Sequence, residues 1–119
     1  MPCLKILTNL PRAQIPNDFV NKILPLLSKV VRKPEDKFIC VVSSDCSISF
    51  GGDSKAKGAV ATLESIGHLG LEENKIIAKE VSAYIEKELG ISQDRFFLSF
   101  YDIAAQDIAK GGITMVGLA

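Results

Sequence analysis

The chain repeats itself once, and that repeat limits its fold more than any other feature. Asp36-Lys37-Phe38-Ile39 returns 58 residues later as Asp94-Arg95-Phe96-Phe97, and the helical stretch before each copy lines up on the same offset. An apolar run precedes each helix, Cys3 to Leu7 in the first half and Ala59 to Ile66 in the second. Each half therefore reads strand, helix, strand, the order of a βαβ unit with a right-handed crossover. Two such units predict an α+β two-layer sandwich. Its four-stranded mixed sheet has both helices on one face, with short extra strands at the ends. We expect one domain over residues 1–119, with pseudo-repeats at about 2–50 and 59–103 and a tail from 104 to 119.

The first helix is expected from about Pro16 to Val31, with Asp18 near its positive end. Phe19, Val20, Ile23, Leu24, Leu27, Val30 and Val31 recur at the three-and-four spacing of one buried face. Pro25 inside that span predicts a kink, because proline removes a backbone donor. The second helix is expected from about Glu72 to Leu89 and is stopped by Gly90; Ile77, Val81, Tyr84, Ile85 and Leu89 form its stripe. Ser47 to Phe50 alternates like a half-buried strand, Gly51-Gly52 ends it, and Ile113 to Val116 is a short strand candidate. Phe38 to Val42 and Phe96 to Tyr101 are apolar at nearly every position, as in strands covered on both faces. Two helices cover only one face, so a further copy of the chain is the expected cover.

Composition excludes several classes of function. The chain has 14 Lys+Arg against 14 Asp+Glu, a formal net charge of zero, so no basic excess marks a nucleic-acid binder. No run approaches the roughly 20 apolar residues of a membrane span. The opening residues do not read as a signal peptide, since the polar turn Thr8-Asn9 follows at once, and synthesis in the cytosol is expected. Cys3, Cys40 and Cys46 form neither a C-x-x-C pair nor a metal-ligand pattern, and they read as free thiols. A lone His68, read as solvated, anchors no metal site. No metal or cofactor is expected.

Two residues carry candidate chemistry. An initiator Met followed by a small residue is normally removed, which would leave Pro2 as the amino terminus. An amino-terminal proline is a secondary amine, and it acts as a base when an apolar pocket or nearby cations depress its proton affinity. Lys33, beside Pro34 at the end of the first helix, reads on its own as a solvated residue closing that helix, although a cation fixed there could bind an anion and disfavour a charged amine. Gly51-Gly52-Asp53-Ser54-Lys55 lacks the G-K-[ST] of a phosphate loop and reads as a turn, and Asp94-Arg95 reads as a surface ion pair.

These pieces fall in a fixed order: Pro2, Thr8-Asn9-Leu10-Pro11, Lys33-Pro34, Ser49-Phe50-Gly51-Gly52, Ser65-Ile66-Gly67, Asp94-Arg95. The set resembles the family of macrophage migration inhibitory factor and D-dopachrome tautomerase, over nearly the whole chain. The resemblance implies a homotrimer with active sites at subunit interfaces. It also implies cofactor-free keto–enol tautomerisation of small aromatic 2-keto acids or dopachrome-type compounds. By that resemblance Pro2 is the catalytic base and Lys33 binds the substrate carboxylate. Ser65 and Ile66 line the substrate position, and Lys37 adds a second carboxylate-binding charge. Phe97, Ser99 and Ile108 complete the substrate-binding set. The same resemblance implies a second role, as a secreted cytokine-like ligand of a cell-surface receptor that leaves cells without a signal peptide.

The chain departs from the family pattern at defined places. Phe97 and Ser99 stand where members nearest the migration inhibitory factor carry Tyr and Asn on the neighbouring subunit's strand. Lys110 replaces an aromatic at the pocket mouth, and with Met115 it looks closer to the D-dopachrome tautomerase branch. Asp53 to Gly58 occupies the region where some members carry a C-x-x-C, so thiol–disulfide exchange is not expected.

Overall fold

The computed structural model describes residues 1–118. Strand β1 (Cys3–Thr8) lies at the centre, parallel to β2 (Ile39–Ser43) and antiparallel to β3 (Ala59–Ser65), which is in turn parallel to β4 (Phe96–Asp102). The sheet order is therefore β2-β1-β3-β4. Each parallel pair is one of the two expected repeats, and the antiparallel contact of β1 with β3 joins them.

One sheet face is packed and the other is bare. Leu4, Ile6, Ala59, Ala61, Leu63 and Phe96 project toward the helices and are almost fully buried. Ile23, Leu27, Val31, Ile77, Val81 and Ile85 meet them from the helical layer. Alternate strand positions face away, as the two-residue period requires. There Leu7, Ile39, Val41 and Phe97 stay 43 to 59% exposed. The strands that read as apolar throughout thus have one face in the core and one open in the single chain. Lys5 and Glu64 pair across that open face at 3.3 Å.

The helical layer differs from expectation in one respect. The span from Pro16 to Val31 is two segments, α1 (Phe19–Lys22) and α2 (Leu24–Val31), meeting at Ile23. Pro25 falls in the first turn of α2, where its missing N–H has no intrahelical acceptor to lose, so it starts a helix instead of kinking one. Pro16 lies outside, and Asp18 caps α1 in the left-handed region at φ 59°. Helix α3 (Leu71–Leu89) ends as expected on Gly90, whose φ of 70° is the left-handed C-terminal cap and whose N–H reaches Glu86 O at 2.9 Å. Tyr84, the half-buried member of the expected stripe, packs its ring against Phe19.

Ser47 to Phe50 is not a strand. Among the described residues its region has only an isolated Phe50–Asp53 bridge around Gly51-Gly52, and Ile48 and Phe50 are half-buried without a neighbouring strand. Arg95 organises the loop instead. Its guanidinium donates to the carbonyls of Lys57, Ala56 and Asp53, sits 3.6 Å from the Asp53 carboxylate and lies over the Phe50 ring. The expected Asp94–Arg95 surface pair is thus replaced by Asp53–Arg95, while Asp94 accepts from Ser92. In the tail, β5 (Ala109–Lys110) and β6 (Ile113–Thr114) form a hairpin across Gly111-Gly112, so the strand expected to reach Val116 stops at Thr114.

Thr8 links the end of β1 to the start of β3. Its buried hydroxyl donates to Gly58 O at 2.8 Å and accepts from the Leu10 N–H at 3.2 Å. Thr8→Val keeps the shape, strands the Leu10 N–H and leaves Gly58 O with only the 3.4 Å bond from the Asn9 N–H. We expect it to cost about 2 kcal/mol in a urea melt; a loss below a few tenths would contradict this role.

Candidate functional site

The end of α2 and the turn after β3 converge at the amino terminus. Arg32 closes α2 in the left-handed region at φ 62°, its N–H reaching Ser28 O, so the chain reverses and presents Lys33. Ser28 Oγ donates to Lys33 O at 2.7 Å and holds that reversal. Lys33 Nζ then crosses to Ile66 O at 3.0 Å, and Arg32 donates to His68 O at 3.1 Å. His68 Nδ1 lies 2.8 Å from Val31 O, an acceptor-only group, so this nitrogen carries the ring proton. His68, read as solvated, is exposed but anchored by this bond, with its backbone in the left-handed region at φ 63°.

These residues enclose a cleft of about 400 Å³, within the range of small-molecule sites. Lys33, Lys37 and Ile66 line it together with Met1, and the neighbouring Pro2 is buried, its carbonyl accepting from Ile39 N–H at 2.9 Å. Arg32, Pro34, His68, Met115 and Leu118 complete the lining. Among the described residues Arg32, Lys33 and Lys37 line this cleft and no carboxylate side chain does. Burial first, then the positive fields of Lys33, Lys37 and Lys110, hold the Met1 amine below its ordinary value. An amine at this position is therefore biased toward its neutral, proton-accepting form.

The other site residues lie elsewhere. Ser65 is fully buried on the helix-facing side of β3, its hydroxyl without a partner among the described residues. Ile108 is half-buried and does not line the cleft, but its carbonyl accepts from Met115 N–H at 2.9 Å and so positions a residue that does. Phe97 and Ser99 project from the bare sheet face, outside the cleft of their own chain. Sequence reasoning missed Arg32 and His68. The signals were present in the Arg32-Lys33 pair before Pro34 and in a histidine between two glycines, but only the turn geometry brings them together.

Two further depressions are less suited to chemistry. One of about 340 Å³ lies beside α1 and is lined by residues such as Arg12, Asp18 and Ser44; one of about 320 Å³ lies between α2 and α3, among Lys29, Ile76 and Glu80. Neither includes the amino terminus. The cysteines are free, and burial, with Cys3 nearby, pushes the Cys40 thiol up to about 11.

A tautomerase-type fold with an amino terminus set among cations is a recognisable class of protein. The macrophage migration inhibitory factor (MIF) family signature matches residues 1–116, and the chain belongs to that family. It is 31% identical to macrophage migration inhibitory factor of Xenopus tropicalis over 114 residues, covering 96% of this chain and 98% of the frog protein. A homolog from Trichinella spiralis is 28% identical over 114 residues, with 96% and 99% covered. The solved structure of macrophage migration inhibitory factor from Trichinella spiralis superposes with a TM-score of 0.90 at 25% identity, covering 94% of this chain and 98% of that one. The family includes tautomerase-fold proteins and cytokines, and these matches do not separate out its D-dopachrome tautomerase branch.

The charge arrangement predicts an order of effects. Removing each cation, as in Lys33→Met, Lys37→Met and Lys110→Met, should raise the amino-terminal amine's pKa, most for Lys33 and least for Lys110. An NMR titration of the labelled amine checks this; values unmoved by all three changes would remove the electrostatic account.

Proposed function

We propose that the protein is a cofactor-independent keto–enol tautomerase in which Pro2, freed by removal of Met1, is the base. The observation that carries this reading is the cleft itself, where half-buried Met1, with buried Pro2 next to it, adjoins Lys33, Lys37 and Ile66. In the reaction the Pro2 nitrogen takes the hydroxyl proton of an enol as the carbonyl forms. The electrons of the carbon–carbon double bond then take that proton at carbon. One proton moves from oxygen to carbon, nothing is oxidised, and no co-reactant is consumed. Lys33 keeps donors free beyond its bond to Ile66 and anchors the substrate carboxylate. An aromatic 2-keto acid suits the apolar walls of Pro34, Ile66, Met115 and Leu118.

The same reading makes the working unit a homotrimer. The exposed apolar face formed by Leu7, Ile39, Val41 and Phe97 supports it, because single soluble chains rarely leave such a surface uncovered. In that arrangement Phe97 and Ser99 reach a neighbouring chain's cleft. The resemblance of Lys37, Lys110 and Met115 to the D-dopachrome tautomerase pattern supports a site of that kind within this proposal. A cytosolic protein exported without a signal peptide belongs to the same proposal. A cytokine-like receptor ligand remains the second role that the family resemblance implies. Among the described residues no helix is long and apolar enough to cross a membrane.

Processing is decisive, because with Met1 attached the Pro2 nitrogen is a tertiary amide and cannot accept a proton. Intact-mass measurement should show loss of about 131 Da, the mass of a methionine residue. The processed chain should then ketonise phenylpyruvate enol, and Pro2→Gly should lower kcat/KM at least about 100-fold. A processed chain with no turnover on phenylpyruvate, hydroxyphenylpyruvate or a dopachrome ester would overturn the proposal. Phe97→Tyr with Ser99→Asn restores a hydroxyl and an amide to the strand and should raise kcat/KM for hydroxyphenylpyruvate. An unchanged or lower value would show that this strand does not limit the reaction.

A further inference from the structure

The peptide unit between Ile66 and Gly67 is gripped at both ends. Its carbonyl oxygen, on Ile66, accepts from Lys33 Nζ at 3.0 Å, and its N–H, on Gly67, donates to Asp102 Oδ1 at 2.9 Å. A trans peptide unit is planar, with N–H and C=O pointing in opposite directions, so fixing one end aims the other. Strand register brings the carboxylate there. Asp102 ends β4 opposite Ser65, and the Ile103 N–H that follows it donates to Ser65 O at 2.9 Å. The turn needs such a hold, because Gly67 at φ 72° and His68 at φ 63° are consecutive left-handed residues and His68 carries a Cβ. Asp102 takes part in no ion pair among the described residues.

We propose that Asp102 is a positioning residue of the cleft: through the Ile66–Gly67 peptide, its carboxylate aims the carbonyl that holds Lys33 in place to bind an anion. A hydrogen bond to an ionised acceptor is stronger than a neutral one, and bonds in series polarise one another. The peptide therefore passes the charge of Asp102 on to the Ile66 oxygen. Without the carboxylate the peptide plane is free to turn, Ile66 O leaves Lys33 Nζ, and the ammonium loses its fixed direction. Asp102 does not itself line the cleft and acts through Lys33. This deepens the tautomerase reading and rests on it for the part Lys33 plays with substrate, while the coupling of Asp102 to Lys33 is a property that binding alone measures.

A double-mutant cycle on the full chain, processed as in the cell, tests this by NMR titration with 3-phenylpropanoate, a non-reacting carboxylate. Asp102→Ala should weaken binding about fivefold, and Asp102→Asn, which keeps an acceptor oxygen, should recover most of that loss. In a Lys33→Met background Asp102→Ala should change affinity by less than about twofold, because the residue it acts through is gone. A merely structural role would give the same loss in both backgrounds. Hydrogen exchange at the Gly67 amide should quicken at least about tenfold in Asp102→Ala and much less in Asp102→Asn, and circular dichroism confirms that each variant folds. In turnover, Asp102→Ala should raise KM about fivefold with kcat within about twofold. Unchanged affinity in Asp102→Ala, an equal loss with and without Lys33, an alanine-like loss in Asp102→Asn, or no binding of the probe would overturn the proposal. Coupled losses in a chain without tautomerase turnover would leave this proposal standing and remove the catalytic reading alone; turnover with uncoupled losses would do the reverse.

Discussion

The cleft depends on a clasp between the two repeats, formed where α2 ends and β3 turns. Lys33 to Ile66, Arg32 to His68 and His68 to Val31 are all bonds onto backbone carbonyls. Two of these residues, Arg32 and His68, hold left-handed backbone that a residue with a Cβ adopts at a cost of order 1 kcal/mol. The clasp offsets that cost and holds two cationic side chains, Arg32 and Lys33, at one end of the sheet. Central strand β1 does the rest, because its first residue is bonded into the sheet beside β2 and fixes the amino terminus at that same end. The basic stretch from Arg32 to Lys37 and the chain terminus, distant in sequence, are brought together by topology.

The bare sheet face is the counterpart of this arrangement. Each βαβ unit places its helix on the same side, so the core is built between one sheet face and α1, α2 and α3. The alternate residues, Ile39 and Val41 on β2 and Phe97 on β4, are left outside. Phe97 and Ser99 share that outer face and do not reach their own chain's cleft, so any part they take in binding needs a second copy. Catalysis and assembly are then one proposal resting on two surfaces.

Much of the framework was legible in the residues. The repeat of Asp36-Lys37-Phe38-Ile39 as Asp94-Arg95-Phe96-Phe97 located both parallel strand pairs, and the Ile77, Val81, Ile85, Leu89 stripe with Gly90 located α3. Lys33, Lys37 and Ile66 were expected to share a site and do line one cleft. What escaped was decided by tertiary context. Pro25 fits a helix start as well as a kink, and only the break at Ile23 distinguishes the two. Ser47 to Phe50 alternates correctly for a strand but has no neighbour to pair with among the described residues. Arg95 looked like a surface charge because its partners, the carbonyls of Asp53, Ala56 and Lys57, are invisible to side-chain pattern. His68 escaped for the same reason, since its anchor is the carbonyl of Val31.

The central claim is that a neutral amino-terminal amine does the chemistry, and the pH dependence of kcat/KM in the processed chain tests it most directly. A base that must be unprotonated gives a rate that rises with pH and levels off above its pKa. The burial and the cations that hold the Met1 amine below its ordinary value lie at the same end of the sheet as Pro2, so that plateau should be reached below the ordinary range of an amino-terminal proline. The inflection should also coincide with the Pro2 titration followed by NMR in the same protein. An inflection at or above that ordinary range, or one that does not track the Pro2 resonance, would contradict the account.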